Sequence, residues 1–474
     1  MNHCAPRAVP IRARHLFVVL SATLMLACGQ AFAASVPTPQ VTRVPVTVPL
    51  GDASRDYPQM ATQLDLARYG YLEQEFFLQG TATRYHTPDR ANGSAISSGH
   101  PYKTRMIVRR PASNKRFNGT VIVEWLNVTS GYNLDALWLS SYDHLIREGY
   151  AYVGVSAQRV GVQGDNGGLT TWSPRRYGDL DVTDGGTVLD DSLSYDIFSQ
   201  AAQAIRAPGP VAPLGGLTPR RVIATGASQS EGYLVRYHNS IHPLTPQFDG
   251  YLLYLGIGAT LRTDLAPKVI KVNTENDVLL LGEYAARQPD SQKLRIYEVA
   301  GTSHVGFTDP NLRGELLVRD GLPITDTTVC DRPALSHIPT AHVLNASFDH
   351  LLRWIDRGVQ PPVAKPLMVL STQPVTLARD AYGNAQGGIQ LPEHAVATAT
   401  NTGLNSGPGF CFLLGSHEPF DDATLRSLYW THGLYVTKVT KAAAANLKAG
   451  YITPFDAAQS IKQAVRSDVA RRGR

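Results

Sequence analysis

Three features of the chain predict an α/β fold, a mostly parallel sheet covered by helices on both faces. Strands alternate with amphipathic helices, one strand runs straight into a serine turn, and later apolar runs end in carboxylates or a histidine. Strands are expected near residues 71–80, 104–109, 119–124 and 151–156. Leu134, Trp138, Tyr142 and Leu145 share one face of a helix that ends at Gly149. Leu193, Ile197, Ala201, Ala204 and Ile205 form the next, beginning after Asp190. The strand from Arg221 follows, then apolar strands at 251–255, 269–272 and 294–299. A helix carrying Leu344, Phe348, Leu351, Leu352 and Ile355 stops at Gly358, ahead of Pro361 and Pro362. With 43% hydrophobic residues, the chain has ample material for one large core.

Within this frame the junction Arg221-Val-Ile-Ala-Thr-Gly226-Ala-Ser228-Gln-Ser230 carries the chemistry. A β-branched strand that hands over to a helix within three or four residues forces a strained backbone at the serine, and small neighbours are needed to avoid clashes. That is the nucleophile elbow of the α/β-hydrolase fold. Gly226 supplies the first small residue, and Ser230 stands where a second glycine is usual.

A serine hydroxyl is a poor nucleophile at neutral pH. It needs an imidazole to take its proton and a carboxylate to hold that imidazole in the right tautomer. The chain order Ser, acid, His is met by Ser228, by Glu275 and Asp277 at the exit of the 269–272 strand, and by His304 beyond the 294–299 strand. Strand exits of a parallel sheet open on one edge, so these residues can converge there. Ser228 is assigned as nucleophile, His304 as general base and then acid, and Asp277 as orienting carboxylate, with Glu275 as the rival acid. His238 and His242 follow the elbow helix and are expected to cap or pack its far end. For the oxyanion, the backbone N–H of Gln229 is one donor. The loop after the 119–124 strand, at Asn127 or its neighbour, is to supply the second. Asn127 reads equally well as an Asx-type turn residue.

Two segments fall outside the plain core. Residues 158–187 hold seven glycines along with Trp172, Arg175, Arg176 and Tyr177. They are read as an inserted loop at the mouth of the active site, or as an ordinary surface loop. Residues 365–474 form a C-terminal extension packed on a catalytic domain of residues 34–364. It is turn-rich at first and ends in helical stretches at 421–449 and 454–471.

Arg7, Arg12 and Arg14 precede an apolar run from about Leu16 to Ala27 and the triplet Ala31-Phe-Ala33, so residues 1–33 read as a cleaved secretory signal. Cys28 raises the competing reading of a lipoprotein site, for which Met25 is a poor match. Removing the three arginines lowers the formal net charge from +5 to +2, and no basic stripe with interleaved aromatics argues for nucleic acid. No other apolar stretch is long enough for a membrane span. Cys330 and Cys411 remain, an even pair in an oxidising compartment, and are read as one disulfide or, failing that, as two buried thiols. Closing so long a loop stabilises the fold by roughly 4 kcal/mol. No metal-ligand spacing is present, and no cofactor is expected.

Gly226-Ala-Ser-Gln-Ser230, Thr274-Glu-Asn-Asp277, Val299-Ala-Gly-Thr-Ser-His304, Trp354-Ile-Asp-Arg-Gly-Val-Gln-Pro361 and Gly383-Asn-Ala-Gln-Gly-Gly388 together carry a resemblance over nearly the whole chain. The chain resembles the bacterial secreted alpha/beta hydrolase domain-containing family, serine esterases with a G-x-S-Q-S elbow. In that family Ser230 is a regular feature of the elbow. The resemblance implies the fold and the hydrolase class, and leaves the target ester open.

The reading that follows is a secreted or periplasmic serine esterase that cleaves a small-molecule carboxylic ester through an acyl-enzyme. Two competitors stay open: the same triad acting on a peptide, thioester or polyester, and a catalytically silent binding protein on the hydrolase fold. Acyl and alcohol portions and oligomeric state are not encoded in any feature described.

Overall fold

Nine strands hydrogen-bond in the order β1-β2-β3-β5-β4-β6-β7-β8-β9. They are β1 (Gln40–Val44), β2 (Tyr71–His86), β3 (Ser94–Pro111), β4 (Thr120–Trp125), β5 (Ala151–Val155), β6 (Arg221–Ala227), β7 (Gly250–Tyr254), β8 (Lys268–Thr274) and β9 (Leu294–Val299). The first three pair antiparallel, as does β3 with β5. From β5 to β9 every pairing is parallel. The computed structural model describes residues 1–3, 35–306 and 308–471. Ala34–Arg474 is one compact unit and Met1–Ala33 another. Residues 4–33 of the expected signal segment, Cys28 included, lie outside the described residues.

The parallel strands are apolar in both registers because both faces are covered. Val121, Val123, Val222, Ala224, Tyr251 and Leu253 point into one core with Trp125, Phe198 and Tyr237. Their alternates Ile122, Ile223, Leu252 and Ile270 point into the other, with Trp138, Leu344, Phe348 and Trp354. The helices that cover them are α1 (Ala136–Arg147), α2 (Ser194–Arg206), α3 (Gln229–Arg236), α4 (Glu275–Leu280), α5 (Thr308–Asp320) and α6 (Ala341–Arg357). Gly358 ends α6 in the left-handed conformation, φ 68°, with its N–H on Trp354 O.

Several expectations needed adjustment. The β2–β3 hairpin is much longer than its apolar stretches, because its outer half is mostly exposed or half-buried and carries little apolar signal. Neither β1 nor α5 was anticipated. The expected 421–449 helix is two, Asp422–Leu428 and α7 (His432–Ala449), broken where the Thr431 side chain caps the second by accepting from Leu434 N. The last helix, α8 (Pro454–Arg466), ends short of residue 471. Ala443 of α7 and Ala457 of α8 enter the same core as Leu344 and Phe348. Ile389 bridges to Val299 beside β9, so residues 365–471 are built onto the body they follow.

Candidate active site

Ser228 sits between β6 and α3 with φ 58° and ψ −125°, a left-handed conformation that a non-glycine residue holds only where its surroundings impose it. Its N–H is shared between Tyr254 O and Leu255 O, 3.0 Å from each, which ties the turn to the end of β7. Gly226 is required there: a Cβ would stand 3.0 Å from Leu234 Cδ1 and 3.1 Å from Ser230 O. Ser230 is fully buried beneath the turn.

Asp277 lies in the first turn of α4 in a capping box. Its Oδ2 accepts from Thr274 N at 2.7 Å, while the Thr274 hydroxyl accepts from Asp277 N. That fixes the carboxylate and leaves Oδ1 to accept from His304 Nδ1 at 2.6 Å, so the imidazole is held with Nε2 as its free nitrogen. His304 follows β9 through a turn at Gly301, φ 73°, and is 3% exposed. The structure thus brings His304 onto Asp277 and away from Glu275. The Glu275 carboxylate accepts from Gly301 N (2.9 Å) and Gly403 N (3.1 Å) and pairs with Arg379 at 2.7 Å. It clamps the C-terminal segment to the turn that presents His304.

Ser228 and His304 both line one cleft of about 680 Å³. Leu134, Ala136, Leu139 and Leu255 form part of its wall, and Phe410, Leu413 and Leu414 another part. Cys330 and Cys411 are bonded, with an S–S distance of 2.05 Å, and the bridge lies inside that second wall. Sequence reasoning missed Arg313, Thr325 and the 410–414 segment as site residues. The one available signal was Cys411 itself, since a bridge to Cys330 draws its neighbours toward the body.

The N–H of Gln229, first residue of α3, belongs to a helix start whose donors have no partner within the helix. Asn127 lines the cleft, yet its backbone N–H is committed to Leu134 O at 3.0 Å and its side-chain amide donates to Ala227 O at 3.0 Å. Its Oδ1 accepts from Thr129 N, the Asx-turn role, so the main-chain donor expected of Asn127 is not available. The inserted segment also requires correction. No residue of 158–187 lines the cleft. Its large side chains turn away: Arg176 pairs with Glu75 at 2.6 Å, Tyr177 donates to Glu75, and Trp172 Nε1 donates to Asp320 O at the end of α5. His238 and His242 are buried past α3, where Tyr251 bonds His242 at 3.0 Å and burial pushes both imidazoles down to about 4.

Beneath α3, Lys271 Nζ is shared by Glu231 (3.0 Å) and Glu283 (2.7 Å), all three buried, and desolvation raises Glu231 to about 7. Among the described residues no group of three or more His, Cys, Asp or Glu side chains converges as metal ligands would.

A family described as an alpha/beta hydrolase domain matches residues 46–462. No curated protein matches the sequence. Solved structures with a likeness include an a/b serine hydrolase without lid from Xanthomonas campestris, 15% identical, covering 52% of this chain and 97% of its own, TM-score 0.30. The acetyl xylan esterase 1 of a Thermoanaerobacterium species is 12% identical, covering 55% and 81%, TM-score 0.29. A glucuronoyl esterase from Solibacter usitatus is 9% identical, covering 60% and 87%, TM-score 0.30.

Proposed function

Because the chain belongs to this alpha/beta hydrolase domain family, we propose that it is a serine hydrolase that cleaves carboxylic esters through an acyl-enzyme. One observation carries the reading. His304, bonded to Asp277, and Ser228 on its strained turn line one cleft, so an oriented base and a half-buried nucleophile serve the same bound group.

In the proposed reaction Ser228 Oγ attacks the ester carbonyl as His304 Nε2 takes its proton, and Asp277 stabilises the imidazolium without itself being protonated. The oxyanion is met by Gln229 N–H. The second donor comes from the loop after β4 beside Asn127, where Thr129 and Ser130 also line the cleft. Collapse breaks the ester C–O bond, and His304 returns the proton to the departing alcohol. Water, activated by the same imidazole, then releases the acid and frees Ser228.

Export belongs to the same proposal. Residues 1–33 act as a cleaved signal, and the Cys330–Cys411 bridge suits an oxidising compartment. Among the described residues no helix is long and apolar enough to cross a membrane. The decisive experiment is fluorophosphonate labelling of the purified protein with peptide mapping, beside turnover of matched ester and amide substrates. Label on Ser228 with ester cleavage is expected. An unlabelled, inactive protein overturns the reading.

A further inference from the structure

We propose, resting on the serine-esterase reading, that Arg313 makes this site selective for esters whose alcohol portion carries a carboxylate. Among the described residues lining the Ser228 cleft only His304 and Arg313 are ionisable, and most of the rest are apolar. Arg313 also borders a second cavity of about 320 Å³ that adjoins the first through Val305, Thr325 and Leu414. Among the described residues neither cavity is lined by an Asp or a Glu. Of the described acids on α5, Asp320 accepts from Tyr57 OH, Met60 N and Arg319, and Glu315 lines a different groove.

A half-buried guanidinium among apolar walls presents a planar fork of donors that matches a carboxylate in two bonds. An anion there is favoured because water competes weakly in such a cleft. The helix that carries the fork is anchored, since Trp172 Nε1 donates to Asp320 O at its C-terminal end. The position of Arg313 says which half of the ester bears the charge. Its second cavity includes Val305, the residue after His304, and excludes Ser228 and Asn127. His304 delivers its proton to the departing alcohol, so the group on that side of the cleft is the alcohol portion.

The test uses the purified full chain and three esters: the acetate of 4-hydroxybutanoate, the acetate of neutral 4-hydroxybutanamide, and the monobutyl ester of succinate. The anionic acetate should exceed its amide twin in kcat/KM by about tenfold or more, chiefly through KM, and the ratio should shrink as salt is added. Arg313→Gln should bring that ratio close to one, and Arg313→Lys should restore part of it. Both variants are checked for unchanged thermal unfolding and fluorophosphonate labelling of Ser228. A ratio near one in the unsubstituted protein, a ratio untouched by Arg313→Gln, or a preference for the succinate monoester overturns this inference while leaving the esterase reading intact. Cleavage of none of the three, with Ser228 unlabelled, overturns both.

Discussion

On one side of the cleft Ser228, Asp277 and His304 stand just past the ends of β6, β8 and β9, where a continuous parallel ladder sets their spacing. On the other, Phe410, Leu413 and Leu414 arrive from far downstream and are held by a few point attachments. They include the Cys330–Cys411 bridge, the Glu275 clamp on Arg379 and Gly403, the Asn276 amide donating to Phe412 O (2.8 Å), and two backbone bonds, Val305 N to Leu413 O (3.0 Å) and Leu335 N to Leu414 O (3.1 Å). The proposed reacting groups therefore inherit the rigidity of the sheet, and the opposite wall inherits that of a bridge and a handful of bonds. Changes on the first side should appear in kcat, and changes on the second in KM and stability.

The largest effect should come from Ser228→Ala, which removes the proposed nucleophile and should lower kcat for ester hydrolysis by about 10⁴- to 10⁶-fold with thermal unfolding unchanged. Ser230→Ala, two residues on, should stay within a few-fold. Substantial activity in Ser228→Ala would falsify the assignment. Next in size is the contrast between the two acids. Asp277→Asn leaves the imidazole in the wrong tautomer and should cost about 10⁴-fold in kcat. Glu275→Gln breaks the clamp on Arg379 and should lower the melting temperature by several degrees while costing far less in kcat. The opposite ranking, measured by steady-state kinetics and calorimetry on both variants, transfers the orienting role to Glu275.

The same contrast governs what could be read in advance. The parallel strands and the proposed reacting side of the site were legible because short apolar runs between amphipathic helices, Gly226 and strand-end polar residues are local patterns with one geometric meaning. His304 was singled out by its place after a strand, and the Asp277 contact follows from α4 starting at Glu275. The other wall was opaque. Phe410, Leu413 and Leu414 lie in a turn-rich stretch with no periodicity, and their position depends on long-range attachments. Residues 158–187 misled for the opposite reason: glycines and exposed-looking aromatics suggested a mouth loop, yet Arg176 and Tyr177 found a buried carboxylate, Glu75, on β2. Asn127 was rightly placed in the cleft, but a sequence does not show that its N–H is spent on Leu134.

A smaller effect isolates the downstream wall. Cys411→Ser opens the bridge that closes a sequence separation of 81 residues, a loss of roughly 4 kcal/mol on the chain-entropy argument. In a chain of this length that corresponds to a melting temperature lower by only a few degrees. KM should rise with it, because the bridge is one attachment of Phe410 and Leu413, while kcat changes little. Calorimetry and kinetics before and after reduction of the unsubstituted protein should give the same pair of shifts. A fall in kcat with KM constant would mean that the wall holds His304 through Val305 more than it holds substrate.

The smallest effect probes the sheet side at rest. Glu124, at the end of β4, accepts from Leu137 N (2.8 Å), Trp138 N and Tyr152 OH (2.7 Å), so it seats the start of α1, whose Ala136 and Leu139 line the cleft. Burial, with Asp135 nearby, pushes its carboxyl up from 4.5 to about 8. The folded protein thus keeps a proton that the unfolded chain releases. Stability from this group is full below about pH 4.5 and is lost as pH rises through about 8. Glu124→Gln cannot ionise, so the decline in melting temperature between pH 5 and pH 8 should become shallower in the variant. Part of the slope should persist, since Glu231, raised to about 7 by desolvation, acts in the same direction. Thermal unfolding of both proteins at several pH values decides it. An unchanged or steeper slope in Glu124→Gln would mean that Glu124 is ionised across this range and that its three donors outweigh its burial.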